Sequence, residues 1–416
     1  MQTSLQTRAS QHDRLEPVDL LFVGYGDWHL WRWDGFRTRS AQLCRFLARS
    51  SLVRRLYVLN EPIYLRGSAH GLNVPRKERF MALPPTSRCS HVEENIFALD
   101  PSRFLLAPFR LRKGYVARMI QRHLTGNGVV PVLWVANVPM AFLMERVRCR
   151  LRIFDAIDDW EHIPALGPHL AIRECYETLA ARADIIFTVS EYLAAKFERK
   201  APAALVRHVP NGVDLELFRR PADPPRARRR MRKGKEPVLT YVGVLSSRFD
   251  AELTAALSRA FPHSRILLVG PMHTREDPRL TCLRGLPNVE LKGLVHHRYI
   301  PEILRESDVL LIPHRRSTLA LSMDPLKLYE YLTTGLPIVA TDVPPVRTYE
   351  ALVYIAHDAA SFVEKVEEAL AEQETPRAED LWRARIEEAQ RHSWEHRVET
   401  ILEAVRSRLW ERAPER

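Results

Sequence analysis

The chain of 416 residues exceeds the usual size of a single hydrophobic core, and an apolar content of 46% without any low-complexity tract supports two ordinary globular domains. Five scattered cysteines, Cys44, Cys89, Cys149, Cys175 and Cys282, provide neither a close metal-binding pair nor a disulfide framework, which favours a reducing cytosol. A formal net charge of +11 leaves nucleic acid, an anionic membrane surface and phosphorylated small molecules open as partners.

In chain order, residues 1 to 19, MQTSLQTRASQHDRLEPVD, are polar and do not read as a signal peptide. No apolar run approaches the roughly 20 residues needed to span a bilayer, so a cytoplasmic protein is expected, any membrane association being peripheral. DLLFVGYG (19 to 26) is the first strand. It opens no GxGxxG turn, and GxxxxGK[ST] and GxSxG are also missing, which counts against a nicotinamide oxidoreductase, a P-loop enzyme and an α/β-hydrolase. The loop GDWHLWRWDGFRTRS (26 to 40) places Trp28, Trp31 and Trp33 around His29 and Arg32. Aromatic faces stack on sugars and a histidine or arginine meets hydroxyls or phosphate, so Trp28, Trp31 and Arg32 are candidate acceptor contacts and His29 a candidate base. Core packing of at least two of these tryptophans is the competing reading.

Helical patterns at 36 to 50 and 170 to 183 alternate with strands at 56 to 60, 130 to 137, 151 to 156, 183 to 190 and 205 to 212. FRLRKGYVARMIQRHL (109 to 124) mixes Arg110, Arg112, Lys113, Arg118 and Arg122 with apolar residues, as in a basic amphipathic helix that lies on anionic lipid or packs on its own sheet. LRIFDAIDDWEHIP (151 to 164) sets aspartates after a strand, where Asp158 or Asp159 would accept the proton of an attacking hydroxyl or cap the next turn.

After Phe218 comes RRPADPPRARRRMRKGKEP (219 to 237), with prolines first and arginines after, which reads as an exposed linker. The strand cycle then restarts at 237 to 245, 264 to 271, 288 to 293, 308 to 313, 336 to 342 and 351 to 356. Strands apolar throughout and alternating with helices indicate parallel sheets covered on both faces, hence an α/β chain of two doubly wound domains facing a cleft. The expected division is an acceptor domain over 1–218, a basic linker over 219–236, a donor domain over 237–392 and a final helix over 393–416 packing back toward the first domain.

The stretch SMDPLKLYEYLTTGLPIVATD (322 to 342) concentrates the chemistry of the second half. With Pro325 as the first helical residue, Lys327 falls in the first turn, where its ammonium adds to the positive helix end and suits a phosphate. Glu330 lies one turn on along the same face, within reach of hydroxyls attached to that phosphate. Arg248, after the first strand of the second half, would neutralise a leaving phosphate in a chain without a metal motif.

PLKLYEYLTTGLPIVATDVPPV resembles the donor-binding segment of GT-B glycosyltransferases, above all family-4-like enzymes of polysaccharide and teichuronic-acid assembly. ARADIIFTVSEYL, VPNGVDLELF, LTYVGVLSSRFD, KGLVHHRYIPEILRESDVLLIPH and SWEHRVETIL are similar to further family segments in the same order. The resemblance implies a nucleotide-sugar donor in the second domain, with Glu330, five residues before Gly335, on its ribose. It implies a saccharide or lipid-linked acceptor in the first domain, and neither a resident metal nor another cofactor. Where most members carry an acid eight residues before that glutamate, this chain has Ser322, with Asp324 as a substitute two positions later. His296 and His297 read as loop residues near the donor at best. A reading module for nucleic acid is not evident, and the rivals to a transferase are a nucleotide-sugar epimerase, a sugar phosphorylase and a silent polyanion-binding protein.

Overall fold

The computed structural model describes residues 16–60, 84–102, 109–163, 171–274 and 277–412. These divide into two compact units. One takes the described residues up to Pro210 together with those from Glu395 on, and the other takes Asn211–Trp394.

The first unit holds a sheet of β1 (Val18–Val23), β2 (Val53–Leu59), β3 (Arg88–Glu93), β4 (Ile96–Asp100), β5 (Val132–Val135), β6 (Leu151–Ala156), β7 (Ile185–Thr188) and β8 (Leu205–His208). Their spatial order is β3-β4-β2-β1-β5-β6-β7-β8, parallel throughout except for β3 against β4. Every residue of β1, β5 and β7 is buried, which is why these strands read as largely apolar runs. The β3–β4 pair is an addition to the expected strands. RCSHVE has no fully buried position, as befits an edge strand, and leaves no apolar run to recognise.

Helix α1 (Trp28–Asp34) starts on Asp27, whose carboxylate accepts the Leu30 N–H, and α2 (Arg39–Ala48) starts on Thr38. Helix α3 (Phe109–His123) buries Val116, Met119 and Ile120, at i, i+3 and i+4, together with Leu124 just beyond its end, in the core of the first unit. Its apolar stripe is therefore used inside the protein. The reading of α3 as a helix that lays that stripe on lipid is corrected; Arg118 and Arg122 stay exposed, and the side chains of Arg110 and Arg112 lie outside the described residues.

The second unit carries β9 (Val238–Val242), β10 (Arg265–Val269), β11 (Val289–Gly293), β12 (Val309–Ile312), β13 (Ile338–Thr341) and β14 (Tyr354–Ala356), all parallel, in the order β11-β10-β9-β12-β13-β14. Alternate residues feed opposite faces: Leu267 and Val269 enter one core cluster, Ile266 and Leu268 the other. Counted within the unit the order is that of a dinucleotide-binding sheet, and the strand order reverses between β9 and β12. In such sheets the carboxyl ends of the two strands at the reversal form a crevice for ligands.

The basic stretch after Phe218 is not an exposed connector. Residues Pro225–Arg232 form helix α4, and Arg228, 4% exposed, sends Nη2 to Asp308 Oδ1 at 3.0 Å and Nη1 to the Arg305 carbonyl at 2.7 Å. Asp308 also accepts from Arg232 and from the Val238 N–H at 2.8 Å. Burial lowers the Arg228 pKa against the opposing pull of Asp308. Helix α5 (Ala251–Ala260) begins on Asp250, whose carboxylate accepts the Leu253 N–H.

Candidate functional site

At the strand-order reversal of the second unit, β9 ends at Val242 and the backbone turns at Gly243 with φ +151°, its N–H donating to the Val269 carbonyl at 2.9 Å. A Cβ on Gly243 would stand 2.8 Å from Tyr241 Oη and 2.9 Å from Lys327 Cε, closer than side chains tolerate. Glycine here lets a lysine amine rest against bare backbone. The Lys327 ammonium lies 3.2 Å from His314 Nε2 and 4.8 Å above the Tyr241 ring. Arg248, half-buried in the loop after β9, has Nη1 3.7 Å from Met323 Sδ and adds a second positive charge.

Burial lowers the Lys327 pKa to about 7, helped by the Arg248 charge and opposed by Glu330. Burial and the same two cations, Lys327 and Arg248, hold His314 well below the ordinary imidazole range, so it is neutral at pH 7. Its buried Nδ1 has no hydrogen-bond partner among the described residues. Two crowded cations beside a neutral imidazole form a spot that an anion with more than one negative charge would relieve.

Helix α6 (Leu326–Leu332) positions Lys327, with one correction: Pro325 is the extended residue just before the helix, φ −75° and ψ 109°, and Leu326 is the first helical residue. Lys327 is still in the first turn. Glu330, one turn on, has Oε1 at 2.8 Å from His297 Nε2. Five residues later Gly335 has φ +73°, and a Cβ there would meet Trp382 Cδ1 at 2.5 Å. The Glu330 to Gly335 spacing is thus the distance from a helix face to the turn that seats the helix end against Trp382.

Two expected donor contacts are corrected. Asp324 does not cap α6: its carboxylate accepts the Asn211 N–H at 2.5 Å and the Tyr329 hydroxyl at 2.9 Å, while its carbonyl accepts Asn211 Nδ2 at 2.6 Å. Ser322, the last residue of a short helix Thr318–Ser322, is fully buried and donates to the Leu319 carbonyl at 2.8 Å. Sequence reasoning did not assign His314 and Tyr241, which sit at strand ends amid apolar runs, and it gave His297 no partner.

In the first unit the tryptophan loop is a helix, and the acceptor-stacking role of Trp28 and Trp31 is corrected. They are 2% and 0% exposed; Trp31 donates Nε1–H to the Tyr25 carbonyl at 3.0 Å and stands edge-on to Phe22. Trp33, 42% exposed, and Arg32 face outward. His29 Nε2 lies 2.9 Å from Asp100 Oδ1 at the end of β4.

Beyond β6, Asp159 is fully buried, with both oxygens 2.7 Å from Lys196 Nζ and Oδ1 accepting the Glu161 N–H. It caps the turn Trp160–His162, and its assignment as base is corrected, because its lone pairs are engaged by an ammonium and a backbone donor. Asp158 is half-buried, and its carbonyl accepts the Tyr176 hydroxyl at 3.0 Å. Asp155, the third aspartate of this segment, forms a buried pair with Arg39, whose Nη2 lies 2.9 Å from Oδ1. Among the described residues no group of three or more His, Cys, Asp or Glu is placed to hold a metal ion, and no helix is long and apolar enough to cross a membrane.

Residues 236–372 match the family of glycosyl transferases group 1. A stretch of 176 residues is 32% identical to TuaH of Bacillus subtilis (strain 168), a protein named for teichuronic acid biosynthesis, and covers 42% of this chain and 44% of that relative. The aligned part therefore spans less than half the length of the curated relative. Sucrose-phosphate synthase from Thermosynechococcus elongatus superposes with a TM-score of 0.68 at 15% identity, over 95% of this chain and all of that one. HepE of Anabaena, solved in complex with UDP, superposes with a TM-score of 0.61 at 16% identity, over 94% of this chain and all of that one. The chain thus shares the two-sheet fold of these solved structures, and its residues 236–372 are similar to glycosyl transferases group 1.

Proposed function

We propose that the protein transfers a sugar from a nucleoside diphosphate sugar, held by the second unit, to a saccharide or lipid-linked acceptor held by the first, in cell-surface polysaccharide assembly. The carrying observation is the cationic spot at the strand-order reversal, where Lys327, Arg248 and neutral His314 surround bare backbone at Gly243. A diphosphate brings the charge that such a group of cations requires, and the protein's own cations would stabilise the departing nucleotide. Glu330, fixed by His297, takes the ribose hydroxyls. HepE is a structure in complex with UDP and with UDP-glucose, which supports this class of donor. The similarity to TuaH supports polysaccharide assembly as the setting.

On the acceptor side Asp158 is the group we assign as base, with His29 the second candidate. Exposed basic residues, Arg118 and Arg122 on α3 and Arg226, Arg229 and Arg230 on α4, would hold the protein on an anionic membrane surface by charge alone.

Calorimetry with UDP tests the donor reading. Glu330→Gln removes the charge of a hydrogen bond worth about 1.5 to 3 kcal/mol while keeping an acceptor for His297, so UDP affinity is expected to fall roughly 10- to 100-fold in a folded protein. Equal affinity in variant and wild type would remove Glu330 from the site, and no measurable binding of UDP or other nucleoside diphosphates to the wild type would remove the reading.

A further inference from the structure

An open pocket of about 400 Å³ lies in the second unit, lined by Arg229, Arg232, Lys233, Lys235, Gln373 and Glu374. Pro237 and Asp308, which also line it, stand immediately before β9 and β12. The carboxyl ends of those same two strands carry the donor crevice, so the pocket is at the opposite edge of the sheet. The 5 residues of β9, at about 3.3 Å each, separate the two places by roughly 15 Å.

The local sequence builds this pocket. Helix α4 ends in a turn closed by the Lys235 N–H on the Arg232 carbonyl at 2.9 Å, with Gly234 at φ +74°. Glycine takes that left-handed conformation without strain, and the turn brings Lys233 and Lys235 to the same pocket. Another wall comes from the end of the helix Ala359–Ala371 and the turn Glu372–Glu374 that continues it.

The carboxylates here are already engaged. Asp308 accepts from Arg228, Arg232 and the Val238 N–H, and Glu374 pairs with Arg229 at 2.5 Å. Lys233, Lys235 and Gln373 make no hydrogen bond or ion pair among the described residues. Four basic side chains thus line the pocket with two acidic ones. Two helix carboxyl ends add about half a negative charge each, which still leaves a positive excess. Like charges gathered on one pocket repel one another, and a bound anion removes that repulsion. The volume is that of a small-molecule site. A carboxylate would offer two oxygens to this set of donors, whereas a phosphomonoester offers three and carries up to about two charges.

We propose that this pocket is a second anion site, separate from the donor crevice, that takes a phosphomonoester group, with Lys233 and Lys235 meeting its oxygens and Gln373 donating from the other wall. Such a site operates whatever the donor crevice holds. The same group is carried by soluble phosphorylated molecules and by the head of phosphatidic acid, and the two sources are separable by experiment.

Calorimetry of the full chain with glycerol 3-phosphate, in the absence and presence of saturating UDP, reads the soluble form. Flotation with vesicles containing phosphatidic acid, against phosphatidylserine vesicles of matched charge, reads the lipid form. Lys233→Gln/Lys235→Gln should weaken glycerol 3-phosphate binding about tenfold or more, and remove any preference for phosphatidic acid, with circular dichroism and UDP affinity unchanged. Arg226→Gln/Arg230→Gln removes the same charge from exposed positions of α4 that do not line the pocket. It should change glycerol 3-phosphate affinity by less than about twofold, because salt screens exposed charges beyond contact, and lower binding to both kinds of vesicle alike. Binding of glycerol 3-phosphate without a lipid preference assigns the site to a soluble phosphomonoester; a preference for phosphatidic acid that the lysine variant loses assigns it to a lipid head group. Equal losses in the two double variants, displacement of glycerol 3-phosphate by UDP, or a wild type that neither binds glycerol 3-phosphate nor prefers phosphatidic acid would overturn the proposal.

Discussion

Lys327 shows how one residue's surroundings set its chemistry. Its ammonium is crowded by the Tyr241 ring, His314 and the Gly243 backbone, with Arg248 adding like charge, and its pKa falls from an ordinary 10.5 to about 7. The folded value is below the unfolded one, so between about 7 and 10.5 the unfolded chain binds more protons, and this residue makes stability rise with pH across that window. Ligand binding has the opposite sign. A diphosphate favours the ammonium form, so UDP binding above pH 7 takes up a proton and weakens by up to about tenfold per pH unit. Calorimetry at pH 7 and pH 9 in two buffers of different ionisation enthalpy would measure that uptake. Lys327→Met should abolish it and flatten the pH profile, and zero uptake by the wild type would place the pyrophosphate elsewhere.

At the scale of elements, the same physics explains what the sequence disclosed and what it hid. Strands β1, β5, β7, β9, β10, β12 and β13 lie between helix layers, so nearly every residue is apolar and each run announced itself. Edge strand β3 is largely exposed and has no such run. Helix α1 was misread because its tryptophans were counted by type; taken by period, positions 28 and 31 share the buried face and 29, 32 and 33 do not. The Arg39–Asp155 pair joins residues 116 positions apart and the Arg228–Asp308 pair joins residues 80 apart, distances over which a single sequence gives no signal. Helix α4 turned from expected linker into a docked element through that second pair. Asp308→Ala leaves Arg228 buried without its counter-ion, and breaking such a pair costs about 3 to 5 kcal/mol. The denaturation midpoint of the variant should fall accordingly, and a midpoint within experimental error of the wild type would show that α4 is held by its backbone and apolar contacts alone.

Across the whole molecule, a formal charge of +11 is spread over both units, and much of it is committed. Arg39, Arg228 and Arg385 are buried in ion pairs with Asp155, Asp308 and Glu372, which leaves the surface arginines and lysines to act at long range. Because α3 spends its apolar face on the core, that face is not offered to a membrane, and the attraction we propose is Coulombic. Each basic residue near an anionic bilayer contributes about 1 kcal/mol, and the attraction decays over a Debye length of about 8 Å at physiological salt. On α4 and the turn after it, Arg226, Arg230 and Lys233 are exposed, and removing all three should weaken partitioning by about 3 kcal/mol, roughly a hundredfold. Flotation with vesicles rich in phosphatidylserine measures this directly. The wild type should bind at low salt, release steeply as salt rises, and ignore vesicles of phosphatidylcholine alone, while Arg226→Gln/Arg230→Gln/Lys233→Gln should bind weakly throughout with UDP affinity unchanged. Equal flotation of the triple variant would move the membrane contact to the first unit, and absence of wild-type binding at low salt would leave a soluble saccharide as the acceptor.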